Sequence, residues 1–391
     1  MRQRMETPQA VYIHIPFCTN KCFYCDFNSY VLKGQPVHEY LDALEREMEL
    51  TVQAVPPGVI RTIFVGGGTP TVLTPEQMER FLRAVRAYFP SLADDYEFTM
   101  EANPGTTDLE KLHAMREGGV NRISFGAQSF DEQLLQRIGR IHQVSDVYRS
   151  IENARSAGFT NLSIDLMFGL PNQSVQQMND TLDRALELEL PHHSLYSLIV
   201  EENTLFYTLY ERGELPLPKE EEEIRMFTMI MERMREAGYE HYEISNFAKP
   251  GYESKHNTVY WKNESYYGLG AGAHGYVRGV RHANIRGVQP YIDATRSGLP
   301  ILERSEVSLT EAMENFMMVG LRLLKGVRSE DFRAQFGREL DDVFGIVIER
   351  LVGQGLLVRT ASGVRLSEQG VYLGNEVFGA FLDLDEKIVK K

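Results

Sequence analysis

Short runs rich in Ile, Val, Phe and Tyr alternate six times with amphipathic helical segments, and this alternation restricts what the first half of the chain can become. The β-type runs are Val11–Ile15, Thr62–Val65, Glu97–Glu101, Arg122–Gly126, Leu162–Met167 and Ser194–Val200, several of them ending at Gly, Asn or Pro. Helical patterns fall near 38–54, 75–89, 108–117, 131–137, 145–157 and 174–189, the first with Leu41, Leu44, Met48 and Leu50 on one face. Thr74-Pro75-Glu76-Gln77 and Ser174-Val-Gln-Gln177 both read as capping boxes that start helices. Repeated strand–helix units imply a parallel sheet with right-handed crossovers. Six units rather than eight predict an open, partial barrel. Polar residues at the carboxyl ends of its strands then become candidates for function.

The 391 residues contain three cysteines, Cys18, Cys22 and Cys25, all within eight positions. An odd and clustered count argues against a disulfide framework. The C-x3-C-x2-C spacing brings three thiolates onto one loop, a donor set for a soft metal. A structural zinc site commonly uses two separated ligand pairs. No second pair exists here, although His14 is a candidate fourth ligand. An iron–sulfur cluster held by three cysteines keeps one iron open for another ligand.

Lys plus Arg total 41 against 55 Asp plus Glu, a formal net charge of −14. With no local basic cluster, that field disfavours nucleic acid and anionic lipid. No run reaches the roughly 18 to 20 apolar residues of a membrane span. The start, Met1-Arg2-Gln3-Arg4-Met5-Glu6 leading into Val11–Pro16, is too short and polar for a signal peptide, which predicts a cytoplasmic protein.

Cys18-Thr-Asn-Lys-Cys22-Phe-Tyr-Cys25 resembles the cluster motif of the radical S-adenosylmethionine (SAM) superfamily. The wider string from His14-Ile-Pro-Phe to Asp26-Phe27 resembles a narrower group within it. That group contains oxygen-independent coproporphyrinogen III oxidase (HemN) and the haem chaperones called HemW. The resemblance implies a [4Fe–4S] cluster on Cys18, Cys22 and Cys25, with SAM chelating the open iron through its amino and carboxylate groups. It implies the same α/β fold, a partial (β/α)6 barrel. It carries SAM contacts onto Tyr12, Tyr24, Gly67, Gly68, Thr69, Glu101, Gln128, Arg140 and Asp165.

The residue types fit those roles. Gly66-Gly67-Gly68-Thr69-Pro70 lets backbone approach a ligand closely, though a tight turn would use the same glycines. Glu101, at a strand end, would complement the sulfonium and ammonium of SAM, where an ordinary carboxylate would be solvated or capping. Gln128 could read ribose hydroxyls, and Arg140 could make a two-pronged contact to a carboxylate. Asp165 interrupts an apolar strand, where an unpartnered acid is costly. Gly268-Leu-Gly-Ala-Gly-Ala-His-Gly275 lacks a dinucleotide-binding context and is placed near the adenosine.

Beyond Gly213 the pattern changes. Glu220–Glu223 opens a methionine-rich helix to about Glu236, and aromatic-rich irregular sequence runs from Tyr239 to Gly279. Helices follow near Glu311–Lys325, Ser329–Phe336 and Leu340–Gln354, then a hairpin turning at Ala361–Gly363. This C-terminal part reads as a helical, winged-helix-like domain used for docking or as a lid. The boundaries drawn are 1–213 for the barrel, 214–306 for an extension and 307–391 for the last domain.

Within the extension, His256-Asn257-Thr-Val-Tyr260-Trp261 resembles the HNxxYW motif of the haem chaperones, which implies haem ligation by His256 and ring stacking on the macrocycle. The alternative is an aromatic strand at the barrel mouth whose histidine is merely hydrogen-bonded, and His274 or His282 stays open as the iron ligand. HemN carries a further cysteine two residues after its triplet; here that position is Phe27. It also has an N-terminal extension, and only 17 residues precede Cys18 here. The expectation is a haem chaperone binding one [4Fe–4S] cluster, SAM and haem, and passing haem to acceptors such as respiratory haem proteins. Cluster-dependent homodimerisation is a family expectation. The reading leans away from an enzyme. Its alternative is a coproporphyrinogen oxidase in which a SAM-derived radical oxidises a propionate side chain. A third reading is a structural zinc site on a binding module.

Overall fold

The computed structural model describes residues 7–382, so Met1–Glu6 and the last nine positions of the third region lie outside the described residues. Six strands form in the expected places: β1 (Ala10–Ile15), β2 (Ile60–Gly67), β3 (Leu92–Ala102), β4 (Arg122–Gln128), β5 (Asn161–Phe168) and β6 (His192–Ser197). Each pairs in parallel with the next. The helices between them include Val37–Ala54, Pro75–Tyr88, Leu109–Glu117, Val144–Ser156 and Val175–Glu187. Both predicted capping boxes form, Thr74 with Gln77 and Ser174 with Gln177. Three further short strands widen the sheet: β7 (Glu240–Glu243), β8 (Asn246–Ala248) and β9 (Tyr267–Leu269). The order is β9-β1-β2-β3-β4-β5-β6-β8-β7, so the partial barrel stays open at both edges.

Alternation along each strand separates two environments. Ile63 and Val65 of β2, and Ile123 and Phe125 of β4, are fully buried in the core shared with the helices. Leu41, Leu44 and Met48 of the first helix enter the same core, each contributing about 1.5–3 kcal/mol by burial. Thr62, Phe64, Arg122 and Ser124 take the other parity and face the concave interior, where the polar chemistry collects.

The end of the barrel and the segment after it need correction. The last strand stops at Ser197 rather than Val200, where its pairing with Phe168 at the end of β5 runs out and Ile199 lies in solvent. The segment from Tyr239 to Gly279 is not irregular. It holds β7 to β9, the helix Lys255–Trp261 and the strand His274–Val277, elements too brief for periodicity to reveal. His274–Val277 pairs with Val280–Asn284, which pairs with Ile301–Glu306, in an antiparallel sheet of three.

The C-terminal helices Leu309–Gly320, Ser329–Phe336 and Leu340–Gly353 pack on a three-stranded sheet in which Gly363–Leu366 is central. Their apolar core, built around Phe332, Phe344 and Val377, is separate from that of the barrel. The first of these helices ends five residues early, since Leu324 N is drawn to the Tyr242 carbonyl. Trp261 lies at this junction. Arg322 sits 4.7 Å from its ring and 5.4 Å from that of Phe378, cation–π contacts worth about 0.5–2 kcal/mol that tie the third region to the barrel. Trp261 therefore serves packing at this junction.

Candidate functional site

Cys18 ends a two-residue strand, Phe17–Cys18, paired in parallel with Tyr30–Val31. The cysteine loop is thereby clasped over the carboxyl edge of β1. All three thiols are free and partly buried. Thr69 Oγ1 lies 3.6 Å from Cys18 Sγ, and Arg140 Nη1 lies 3.5 Å from Cys22 Sγ. Burial raises the Cys18 and Cys25 thiols, the latter to about 11, so metal binding has to displace protons. His14 does not supply a fourth ligand. Its Nδ1 accepts from Tyr12 OH at 2.9 Å, and its Nε2 meets the Asn28 carbonyl at 2.8 Å. Among the described residues, no three His, Cys, Asp or Glu side chains converge as ligands of a single ion. A [4Fe–4S] cluster does not require that convergence, because each thiolate takes a different iron.

A cavity of about 470 Å³ opens beside the loop. Of the nine side chains or glycines expected to contact SAM, eight line it: Tyr24, Gly67, Gly68, Thr69, Glu101, Gln128, Arg140 and Asp165. Gly67 adopts φ +103°, and a Cβ there would stand 2.3 Å from the His14 ring. Its N–H donates to Glu101 Oε2 at 3.2 Å. Arg140 donates through Nη2 to Asn103 Oδ1 at 3.0 Å and to the Gly126 carbonyl. Gln128, with φ +65°, accepts at Oε1 from Tyr196 OH at 3.0 Å. Tyr12 departs from the set and lines an adjoining recess.

Burial, then the nearby Asp165 carboxyl, pushes Glu101 up to about 8. Asp165 is raised by burial as well and accepts from Ser124 Oγ at 3.0 Å. Two desolvated carboxyls in one small chamber form a place suited to a cationic ligand. Asn103, Arg122 and Tyr196 are among the lining residues that escaped the sequence reading. Asn103 follows Glu101 by two at a strand end, a usable signal. Arg122 opens an apolar strand, reaches Thr99 Oγ1 at 3.4 Å and leaves its Nε unpartnered. Tyr196 carried no signal, since an aromatic on a strand is ordinary core.

His256 requires the main correction. It lies on a helix, not a strand, and is 0% exposed inside the barrel. Nδ1 engages Thr62 Oγ1 at 2.9 Å and Nε2 engages Tyr260 OH at 2.8 Å, so neither ring nitrogen is free for iron. The backbone N–H groups of Lys255 and His256 donate to Glu97, which caps this helix. Burial, then the charge of Arg122, lowers the imidazole to about 3, against about 6.5 in the unfolded chain. A folded value below the unfolded one means the stabilisation is complete above pH 6.5 and is lost as pH falls towards 3. Between pH 6.5 and 5.0 the wild type should lose about 2 kcal/mol more than His256→Gln. Parallel pH slopes in urea melts of the two proteins would contradict this.

An open parallel barrel with a three-cysteine loop over its carboxyl edge, beside a glycine-lined, acid-rich chamber, defines a protein of the radical SAM class. The Radical SAM superfamily model matches residues 12–185, and the HemN C-terminal domain model matches residues 307–373. The heme chaperone HemW of Bacillus subtilis is 48% identical over 96% of this chain and 99% of its own. That of Escherichia coli is 38% identical over 96% and 98%. The chain belongs to the HemW family. The structure of coproporphyrinogen III oxidase (HemN) from Escherichia coli, a radical SAM enzyme, superimposes with a TM-score of 0.84 over 96% of this chain and 90% of that one. At 22% identity this likeness establishes the fold. Among the described residues, no helix is long and apolar enough to cross a membrane.

Proposed function

We propose that this protein is a haem chaperone, acting in the cytoplasm, that receives haem as cargo and hands it to acceptor haem proteins, respiratory enzymes among them. The observation that carries the reading is kinship with relatives named heme chaperone HemW along almost the entire chain. Cys18, Cys22 and Cys25 would hold a [4Fe–4S] cluster, and the 470 Å³ chamber would hold SAM. The cluster, when bound, offers an open iron to the amino and carboxylate groups of SAM. Glu101 and Asp165 complement the positive charges of that ligand, Arg140 presents donors to its carboxylate, and Gln128 an amide to its ribose. Because Glu101 sits at about 8, it holds a proton at neutral pH, and an arriving cation favours releasing it.

The mouth of the site supports a carrier over an enzyme. Phe27 stands where HemN-type enzymes have a cysteine, 59% exposed, and Ile199 on the same rim is 65% exposed. An open apolar rim suits a flat apolar cargo that must leave again. The test is an anaerobic haemin titration of the cluster-reconstituted protein, followed by mixing with an apo-haem protein. Saturation near one haem per chain and spectral transfer to the acceptor are expected, with no consumption of coproporphyrinogen when SAM and a reductant are supplied. Absence of saturable haem binding, or turnover of the porphyrinogen, would overturn it.

A further inference from the structure

On the far side of Gly67 and Glu101, a second recess of about 770 Å³ adjoins the SAM chamber. Its volume falls within the roughly 300–1,000 Å³ usual for cofactor and small-molecule sites. Aromatic rings line it: Tyr260 and Tyr266 meet edge to face with centroids 4.8 Å apart, and exposed Phe27 stands at the rim. His274 begins the strand His274–Val277 and is exposed in this wall. Among the described residues its imidazole has no hydrogen-bond partner. Of the neighbouring histidines, His14 and His256 are spent. Both ring nitrogens of His14 and of His256 are engaged, and His282 Nε2 faces the Gly268 carbonyl at 3.4 Å.

Two cations share the lining, Lys21 in the cysteine loop and Arg286 beyond the strand Val280–Asn284. The Arg286 guanidinium is exposed and makes no ion pair among the described residues. The exposed acids of the lining, Asp26, Glu201 and Glu202, lie on other segments than Arg286.

We propose that haem binds in this recess, with His274 as the axial iron ligand, one macrocycle face against the Tyr260–Tyr266 pair, and propionates towards Arg286 and Lys21. A neutral imidazole is a common axial ligand, aromatic edges and faces suit a porphyrin, and charge-assisted hydrogen bonds fix carboxylates. The inference rests on the haem chaperone reading and names the cargo site within it. It also gives His256 a part: its Nε2 holds the Tyr260 hydroxyl at 2.8 Å, so it is a positioning residue that acts through that ring. Haem and SAM then share the Gly67–Glu101 wall, and the two sites are coupled through it.

The test titrates haemin into full-length, cluster-loaded wild type, His274→Ala and His256→Gln, with circular dichroism confirming the fold of each. Wild type should saturate near one haem with a histidine-ligated Soret band. His274→Ala should lose that band and bind about tenfold or more weakly, and added imidazole should restore the spectrum. His256→Gln should keep the wild-type Soret maximum. A His274→Ala titration indistinguishable from wild type would overturn the assignment while leaving the chaperone reading intact. No saturable binding by wild type would overturn both.

Discussion

Cys22→Ala is expected to leave a folded protein that cannot retain iron. After anaerobic reconstitution, the wild type should carry about four irons with matching sulfide, and the variant fewer than one. No other cysteine exists in the chain to substitute for the lost thiolate, and His14, the candidate fourth ligand, is bonded at both nitrogens. The loop itself is a clasp of two short strands with partly exposed thiols, outside the barrel core. Its alteration should therefore leave the melting temperature of the metal-free form nearly unchanged, within the roughly 0.5 kcal/mol of an ordinary surface substitution. Arg140 loses a sulfur neighbour at 3.5 Å but keeps Asn103 and Gly126, so the chamber wall stays in place. Iron and acid-labile sulfide assays with visible absorption decide the matter. One zinc per chain without sulfide in the wild type would revive the zinc reading and sink the cluster.

Where the chain repeats a long unit, its structure was legible in advance. Six strands and their helices lie within a few residues of the expected bounds because burial on one face imposes a period on each segment. The chamber was legible for a second reason. Residues on successive strands and the loops after them converge in space once the sheet is parallel, so Glu101, Gln128, Arg140 and Asp165 meet although they are scattered over 65 positions. What failed was local chemistry read without its surroundings. His256-Asn-Thr-Val-Tyr260-Trp261 looks like a ligand and two stacking rings. In three dimensions it divides between a buried imidazole, a ring lining a recess, and a ring packed under Arg322. Nothing in that hexapeptide announces that Thr62, 194 residues earlier, occupies the imidazole from the other side. His274 has the opposite history: it follows a glycine-rich stretch with no periodicity, and its significance lies in what it lacks. The strands β7 to β9 were missed because three or four residues cannot display a period, and β8 and β9 join the sheet through β6 and β1, far away in sequence.

Gly67→Ala should be among the most damaging single-methyl additions in the chain, and Gly34→Ala is its control. Both glycines have positive φ, +103° and +82°, so an alanine is strained at either position, by about 1–2 kcal/mol. Their surroundings differ. A Cβ at Gly34 meets nothing within 4 Å, whereas at Gly67 it would stand 2.3, 2.4 and 2.6 Å from three atoms of the His14 ring. That ring is buried and held at both nitrogens, so it cannot swing aside without breaking the Tyr12–His14–Asn28 chain. Overpacking adds about 1–3 kcal/mol, bringing Gly67→Ala to about 2–5 kcal/mol in total. The functional effect should be larger still, since Gly67 lines both cavities and its N–H holds Glu101 Oε2 at 3.2 Å. Displacing it disturbs the SAM chamber and the neighbouring recess together, so affinity for SAM and for haemin should fall in one variant. Calorimetric melts and the two titrations, run on both variants, separate backbone strain from the clash. Equal melting temperatures for the two would mean that His14 yields freely, and that the Gly67–Glu101 wall is softer than its packing implies.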